Sequence, residues 1–537
     1  MSFFRLVRRE IQGSLPRLLF VSAVGGISNA AILAAINVGA QAAEMGKTSP
    51  WSAALFLASL VLFIKAQQYL LIVTTAESEA IIHRLRVRLL NEVRRSELLG
   101  LEEIGRPEIV VAITKDTAIL TQAANLFAFG AQGIVLVFFV ALYVAYLSPV
   151  AFMLSVLIVG GAGLLYHSSR RLISEGLSKA AERENRLFDR MVDLLDGFKE
   201  VRLNQARSDD LMSDIRDVSR RAANLKIEAN SENSKLLVFA QSAMYLLLGA
   251  VVFVVPVVSD PGNSSVTKTT TALLFIVGTC FGLMQTASVL TAANAAASRL
   301  ERLEAKLRAT AVASPGDGAE RKKRFDKLEL QDVAFHYPDR PSEPGFKIGP
   351  VDLVLRPGEL VFITGGNGSG KSTFMKVLAG LYAPDSGRIS IDGILIDSST
   401  HSLRELITAV FSDYHLFRTL YGIPDSETVE ISRLLADFEL DDKTHLHGRE
   451  FDTLDLSAGQ RKRLALLVGL LEKRPILLLD EWTANQDPDF RRKFYVELLP
   501  ALIRSGLTVV VVTHDDKYVE ELELPSRRFR MDEGRFV

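Results

Sequence analysis

A chain of 537 residues with one cysteine, Cys280, cannot close an intrachain disulfide, and its eight histidines and lone thiol form no Cys/His cluster of metal-site spacing. Cys280 lies inside an apolar run, which excludes a zinc finger and gives a cysteine-peptidase domain no soluble setting. Charge of one sign is missing as well: 62 Lys+Arg against 63 Asp+Glu leave a formal net charge of −1. A nucleic-acid binder carries the basic excess that phosphates attract, so nucleic acid is not an expected partner. Proline is nearly absent from two long charged stretches, 76–123 and 169–236, so nothing there interrupts a helix.

What the chain has instead is apolar length. Hydrophobic residues make up 48% of it, and mean hydropathy is +0.20. Nearly all of the excess lies before residue 300. A helical span needs about 20 mostly apolar residues, and six stretches qualify: 15–39, 51–75, 124–147, 150–168, 237–259 and 269–291. Arginine and lysine orient them. Arg5, Arg8 and Arg9 precede the first span, Arg84, Arg86, Arg88, Arg94, Arg95 and Arg106 follow the second, and Arg170, Arg171, Arg183, Arg186, Arg190, Lys199 and Arg202 follow the fourth. The opposite loops hold only Lys47 and Lys268. Both chain ends are therefore expected in the cytoplasm. The first apolar run exceeds the length of a cleavable signal's core, so it is expected to remain as a span despite Ala40-Gln41-Ala42.

The two inward loops, rich in Arg, Glu and Leu, are expected to be helices that prolong the spans into the cytoplasm as two hairpins. Their tips are expected near Gly100–Pro107 and Ala206–Ser213, docking on whatever lies downstream. The chain then divides as 1–310 (membrane domain), 311–325 (a Pro/Gly/charge-rich linker) and 326–537, where strands and helices alternate as in an α/β domain.

In that last part the apolar strand Leu360-Val361-Phe362-Ile363-Thr364 runs into Gly365-Gly366-Asn367-Gly368-Ser369-Gly370-Lys371-Ser372-Thr373. This is the G-x-x-x-x-G-K-[ST] phosphate loop in its required context of strand, loop and helix. Its glycines let backbone N–H groups wrap phosphates, Lys371 reaches the β- and γ-phosphates, and the Ser372 hydroxyl ligates Mg2+. ATP and Mg2+ are the expected cofactors. Four apolar residues, Ile476-Leu477-Leu478-Leu479, deliver Asp480 and Glu481. Asp480 is expected to hold Mg2+, and Glu481 to polarise the attacking water.

Two further elements carry a family resemblance. Leu456-Ser457-Ala458-Gly459-Gln460 resembles the LSGGQ signature of ABC proteins, and His514 follows the strand Thr508–Thr513 where that family places its switch histidine. Order is also that of the family: phosphate loop, signature, carboxylates, histidine. The resemblance implies that Tyr337 stacks on adenine, and that Ser457, Gly459 and Gln460 contact the nucleotide held by a second copy's phosphate loop, with Asp487 at the interface. A homodimer with two sandwiched ATP follows. The run Asp480-Glu481-Trp482, Asn485-Gln486-Asp487-Pro488, Phe490-Arg491-Arg492, Phe494-Tyr495 and His514-Asp515-Asp516 is similar to one branch, the cyclic-peptide and siderophore exporters of pyoverdine, syringomycin and microcin type. The implied fold is a six-span α-helical exporter domain fused to an α/β P-loop ATPase. The implied activity is ATP-driven export of a peptide-like small-molecule cargo across the bilayer of the bacterial inner membrane. A lipid flippase or multidrug exporter would share every motif, and a nucleotide-gated regulator would lack only the pumping.

One position departs from the family. Where ABC domains carry a glutamine that ligates Mg2+ and senses the membrane domain, this chain has Ser412, followed by Asp413. In the membrane half, Lys65 is the one ionisable residue well inside a span and is the candidate for an acidic cargo group, against the alternative that it snorkels to the interface. Gln122, Asn125, Gln132, Gln241 and Gln285 either line a polar cavity or hydrogen-bond between helices.

Overall fold

In lipid the backbone of an apolar stretch finds partners only within itself, and a helix satisfies them all. The computed structural model describes residues 2–10, 15–47, 49–258, 265–311, 324–339, 344–396, 401–424 and 428–537. Within these, five helices are long and apolar enough to cross a membrane: Pro16–Glu44, Pro50–Arg95, Arg106–Leu147, Gln205–Val257 and Val266–Ala309. The expected fourth span corresponds to a shorter apolar helix, Pro149–Leu165. That stretch is the first part of a longer helix, Pro149–Asp196.

The chain divides into two compact units, residues 1–94 with 104–309 and residues 95–103 with 310–537. The helices of the first part of the chain are α1 (Ser2–Glu10), α2 (Leu15–Glu44), α3 (Pro50–Arg95), α4 (Leu98–Ile104), α5 (Arg106–Val111), α6 (Thr117–Leu147), α7 (Pro149–Asp196), α8 (Phe198–Leu203), α9 (Gln205–Phe253), α10 (Val255–Val258) and α11 (Ser265–Ala309). Most of the expected linker, 312–323, lies outside the described residues.

Small residues let the spans approach closely. A Cβ on Gly26 of α2 would meet the Val135 side chain of α6 at 2.8 Å, and one on Gly25 would meet Gln132 Nε2 at 3.0 Å. Gln132 is buried against α2, so its amide belongs to helix packing. At the charged ends an ion-pair network ties α1, α3 and α11 together. Glu10 is buried and accepts from Arg88 at 2.5 Å, while Glu304 faces Arg88 at 3.3 Å and Arg9 at 3.9 Å. Asp116, also buried, accepts from Arg299 of α11 at both carboxylate oxygens, from Nη2 at 2.5 Å and Nε at 3.1 Å.

The second hairpin turns earlier than expected. Its break is α8, Phe198–Leu203, between Gly197, which ends α7, and Asn204, whose side chain caps α9 by accepting from Arg207 N at 3.0 Å. Ala206–Ser213 is therefore the first part of α9 rather than the tip. A glycine C-cap and an asparagine N-cap set the turn.

The second unit is built from β1 (Leu328–His336), β2 (Lys347–Leu355), β3 (Leu360–Thr364), β4 (Ser386–Ile391), β5 (Ile394–Leu395), β6 (Ile407–Val410), β7 (Leu446–His447), β8 (Glu450–Phe451), β9 (Ile476–Asp480), β10 (Thr508–Val512), β11 (Ser526–Asp532) and β12 (Arg535–Phe536). A small sheet, β2-β1-β4-β5, packs beside a six-stranded one of order β12-β11-β3-β10-β9-β6. In the latter β11, β3, β10, β9 and β6 run parallel. Its helices are α12 (Lys371–Leu378), α13 (His401–Leu406), α14 (Thr428–Asp437), α15 (Ala458–Leu471), α16 (Pro488–Lys493), α17 (Leu499–Arg504) and α18 (Asp516–Glu521). The central strands β9 and β10 are buried at every residue, which is why they read as continuous apolar runs. Register decides function here: Val512 pairs with Ile363 on one side and Asp480 on the other. Three neighbouring strands thus end level, and whatever follows each of them meets at the carboxyl edge of the sheet.

Candidate nucleotide site

Beyond the end of β3 the chain turns through Gly365 (φ 145°), Gly368 (φ 78°) and Gly370 (φ 102°). A Cβ at Gly365 would lie 2.1 Å from the Met531 carbonyl, so only glycine fits that approach. Lys371 opens α12, and its buried ammonium donates to the carbonyls of Gly365 at 3.0 Å and Gly366 at 2.8 Å. The loop is thereby held as a cradle around its own lysine. A cavity of about 530 Å³ opens over it, lined by Phe346, Asn367, Gly368, Gly370, Lys371, Ser372, Thr373 and Glu481.

Level with this loop, β9 ends in Asp480, which is buried. Neither carboxylate oxygen has a well-aligned hydrogen-bond partner. Burial pushes the Asp480 pKa up, and the neighbouring Glu481 charge adds to this, against the Ser372 hydroxyl, the Ser412 backbone N–H and Lys371. An orphaned buried carboxylate beside a hydroxyl and an exposed loop fits a hard divalent cation, which takes oxygen ligands. Ser412 is exposed, and its backbone N–H, rather than its hydroxyl, is what acts on Asp480.

Glu481 sits in the left-handed region at φ 48°. That conformation breaks the strand and aims its side chain at the cavity instead of along the sheet. Three anchors over-determine it. Its N–H donates to Val512 O at 3.0 Å, its carbonyl accepts from Lys462 Nζ at 2.7 Å, and its Oε1 lies 3.3 Å from His514 Nε2. Burial lowers the Lys462 pKa, opposed by the charges of Glu481 and Asp480. Lys462 was not singled out from the sequence. Its signal was a Lys-Arg pair inside the apolar helix α15, where a buried cation needs a partner.

Ser457 caps α15, accepting from Gln460 N at 3.2 Å, while Gln460 Oε1 accepts from Ser457 N at 3.0 Å. This reciprocal capping box leaves the helix's positive end pointing outward. Gly459 is needed, since a Cβ there would lie 2.6 Å from the Asn485 carbonyl, whereas Ala458 is exposed and its methyl meets no such constraint. Asp487 caps α16 by accepting from Phe490 N at 2.9 Å and pairs with Arg463. Arg463 also donates to Gln486 Oε1 at 2.9 Å, lies 3.5 Å over the Phe490 ring, and Gln486 Nε2 in turn donates to Gly459 O at 3.1 Å. The signature and the Asp487 loop are one hydrogen-bonded piece.

Asp515, beside His514, has no role in the sequence pattern beyond its place in the His514-Asp515-Asp516 run. Thr483 donates to it at 2.7 Å, Arg491 at 3.3 Å and Tyr495 at 3.3 Å. The aromatic run after Glu481 is the core behind this: Trp482, Phe490, Phe494 and Tyr495 are buried, and Trp482 Nε1 donates to Lys462 O at 2.9 Å.

Tyr337 stands at the edge of β1 with its hydroxyl 3.4 Å from Thr373 Oγ1, and Phe346, half-exposed on the cavity wall, is a further aromatic in reach of a base. Lys65 lies elsewhere, exposed on α3 on a face shared with Val61, Leu62, Ile64, Tyr69 and Ile72. Apolar neighbours of that kind favour a stem lying along lipid with its charge at the interface.

Residues 348–484 match the ABC transporter family. The chain is 32% identical to the ATP-binding protein SyrD of Pseudomonas syringae pv. syringae, over 99% of this chain and 96% of that protein. Part of the chain is similar to ABC transporter B family member 19 of Arabidopsis thaliana (33%, over 38% of this chain and 17% of that one). The chain also resembles the ATP-dependent lipid A-core flippase of Paraburkholderia xenovorans (28%, over 41% and 38%). With a full-length relative at that identity, a phosphate loop, an αL glutamate beside a histidine, and apolar helices that can span a bilayer, the chain belongs to the ABC transporters, as a multi-pass exporter of the cyclic-peptide family with a cytoplasmic ATPase domain.

Proposed function

We propose that two copies of this chain hydrolyse two ATP between them to move a peptide-like cargo, a cyclic peptide or siderophore, outward across the bacterial inner membrane. ATP-driven transport follows from family membership; the cargo class rests on the likeness to SyrD along the whole chain. Incompleteness of one copy carries the dimer. Ser457, Gly459 and Gln460 belong to a capped helix end that is absent from the lining of the cavity formed by Asn367, Lys371, Ser372 and Glu481. A second copy would bring its signature to that cavity, the helix end facing the γ-phosphate.

In each site the phosphate loop would hold the phosphates through Gly365, Gly368 and Gly370 backbone N–H groups and Lys371. Tyr337 would stack on adenine. Ser372 and Asp480 are the residues to hold Mg2+, with Ser412 adjoining, and the ion supplies charge neutralisation to the phosphoryl group being transferred. Glu481 would accept the proton of the attacking water, and His514, which faces the same carboxylate, would bind the γ-phosphate side and fix its orientation.

ATP-dependent accumulation of a cyclic lipopeptide or siderophore in inside-out vesicles tests this reading. Lipid-stimulated turnover with no response to peptides would favour a flippase instead, the role of a relative similar to 41% of this chain. ATP binding with no turnover at all would favour a regulator.

A further inference from the structure

Helices α1, α2, α3 and α6 of the first unit enclose a cavity of about 200 Å³. Its wall is mostly apolar: Phe4, Leu18 and Phe127 contribute to it, and Phe4 meets Phe127 edge-on at 5.5 Å. The short helix α1 turns Phe3 and Leu6 inward and leaves Arg5, Arg8 and Arg9 exposed. Phe3 N donates to Asn294 Oδ1 of α11 at 3.3 Å, which seats α1 on the bundle. One apolar and one basic side is the pattern of a helix lying in a membrane interface. The wall takes Leu18 from the start of the first span, Thr74 from the end of the second and Phe127 from the start of the third. All three are the ends that the arginines assign to the cytoplasm. The cavity therefore lies at the depth of the inner leaflet's headgroups and first methylenes.

Two charged residues stand in this wall, Arg8 and Glu77. Among the described residues neither belongs to an ion pair, with the other or with any further side chain. Opposite charges that share one chamber without touching leave room for a ligand that carries both signs. A third polar group follows on α3. Thr74 is buried, lines the same cavity, and its hydroxyl has no hydrogen-bond partner. Helical hydroxyls commonly donate back to the carbonyl four residues earlier, as Ser78 does to Thr74 O at 2.6 Å. Thr74 makes no such bond, and a buried hydroxyl left over is costly unless something inside the cavity accepts from it. With a rise of 1.5 Å per residue, Thr74 lies about 4.5 Å deeper in the bilayer than Glu77.

We propose that this cavity holds a phospholipid of the cytoplasmic leaflet with a primary-amine headgroup. Its phosphate meets Arg8, its ammonium meets Glu77, a glycerol ester carbonyl accepts from Thr74, and the start of one acyl chain lies between Leu18 and Phe127. From the interface inward, headgroup, ester and chain follow in the order in which the wall presents charge, hydroxyl and apolar surface. The volume exceeds the about 150 Å³ that admits a benzene ring, so it takes part of a chain and leaves the rest in the bilayer. Glu77 selects the class. An anionic phospholipid would satisfy Arg8 and bring a second negative charge toward Glu77, and a trimethylated amine has no N–H to donate to it.

Native mass spectrometry of the detergent-solubilised full-length chain tests this, with phosphatidylethanolamine, phosphatidylglycerol and phosphatidylcholine added singly. Phosphatidylethanolamine is expected to bind about tenfold more tightly than either of the others, the effect of one charge-assisted hydrogen bond. Glu77→Gln, which keeps the shape of the side chain, is expected to remove the preference over phosphatidylglycerol. Arg8→Gln is expected to weaken both of those lipids by about tenfold, and Thr74→Val to weaken all three. Equal binding of the three lipids by the native chain overturns the inference, as does a preference that survives Glu77→Gln or lipid binding that Thr74→Val leaves untouched. A cyclic lipopeptide that displaces phosphatidylethanolamine one for one would also overturn it, by making the cavity a cargo site.

Discussion

His514 Nε2 stands 3.3 Å from Glu481 Oε1, across the gap between two adjacent parallel strands that end level with each other. Neither residue's strand explains the meeting. It depends on the αL conformation of Glu481 and on the pairing of Val512, two residues before His514, with Asp480, one residue before Glu481. Removing the carboxylate charge while keeping its shape should therefore leave ATP binding intact and stop turnover. Glu481→Gln is expected to lower kcat by about 100-fold or more, measured as phosphate release alongside unchanged ATP affinity. Wild-type turnover in that variant would take the general-base role away from Glu481.

Lys462 acts through Glu481's backbone, not on substrate. Lys462→Met keeps most of the stem and loses the 2.7 Å bond to the Glu481 carbonyl. Its expected signature is a kcat lowered by about 10-fold with little change in KM, since misplacement rather than lost binding is the defect. A change in KM alone would mean that Lys462 contacts the nucleotide.

Glycine 459 and alanine 458 make a paired test of the signature. Gly459→Ala would force a methyl to 2.6 Å from the Asn485 carbonyl, pushing the signature away from the Asp487 loop, and should cost at least about 10-fold in turnover. Ala458→Gly, at an exposed position, should change turnover by less than about twofold. Reversal of that order, read in the same ATPase assay, would contradict the packing described.

Asp480 gives a pH and metal dependence with a definite sign. Burial raises its pKa above the ordinary 3.8. The folded chain thus binds the proton more tightly than the unfolded one, and the stability this contributes is present at low pH and lost as pH rises through the raised pKa. At neutral pH without metal the ionised carboxylate is a burden. Asp480→Asn is expected to raise the metal-free melting temperature at pH 7, lose that advantage near pH 4, and abolish Mg2+-dependent turnover. Thermal melts with and without Mg2+ measure the first two effects. A metal-free Asp480→Asn chain less stable at pH 7 would show that the buried carboxylate is satisfied by the protein.

Arg299 and Asp116 supply a test in the membrane half. Removing the guanidinium leaves a buried carboxylate unpaired, so Arg299→Ala should destabilise by on the order of 2–3 kcal/mol. Arg299→Met with Asp116→Asn should recover much of that loss. Detergent melts of the single and double variants read it out, and an additive double would place the two residues outside one pair.

Much of this protein was legible in one dimension because its signals are local and repetitive. Twenty apolar residues in a row announce a span whatever surrounds them, and the phosphate loop is a short segment whose strand, glycines and lysine are contiguous. The capping box at Ser457 and Gln460 is local too. Tertiary pairing decided the rest. The hairpin turn at Phe198–Leu203 depends on caps at Gly197 and Asn204 that weigh little in a charge-rich helical stretch. Lys462, Arg463 and Asp515 gain their roles from partners 19 to 24 positions or more away, which only strand register brings near. Sequence alone determined that an ATP-binding domain follows a bundle of membrane helices, because periodicity and a contiguous phosphate loop are enough for that. Which side chains hold Glu481 toward His514 was settled by the fold, because the parallel register and burial choose partners that no local pattern names.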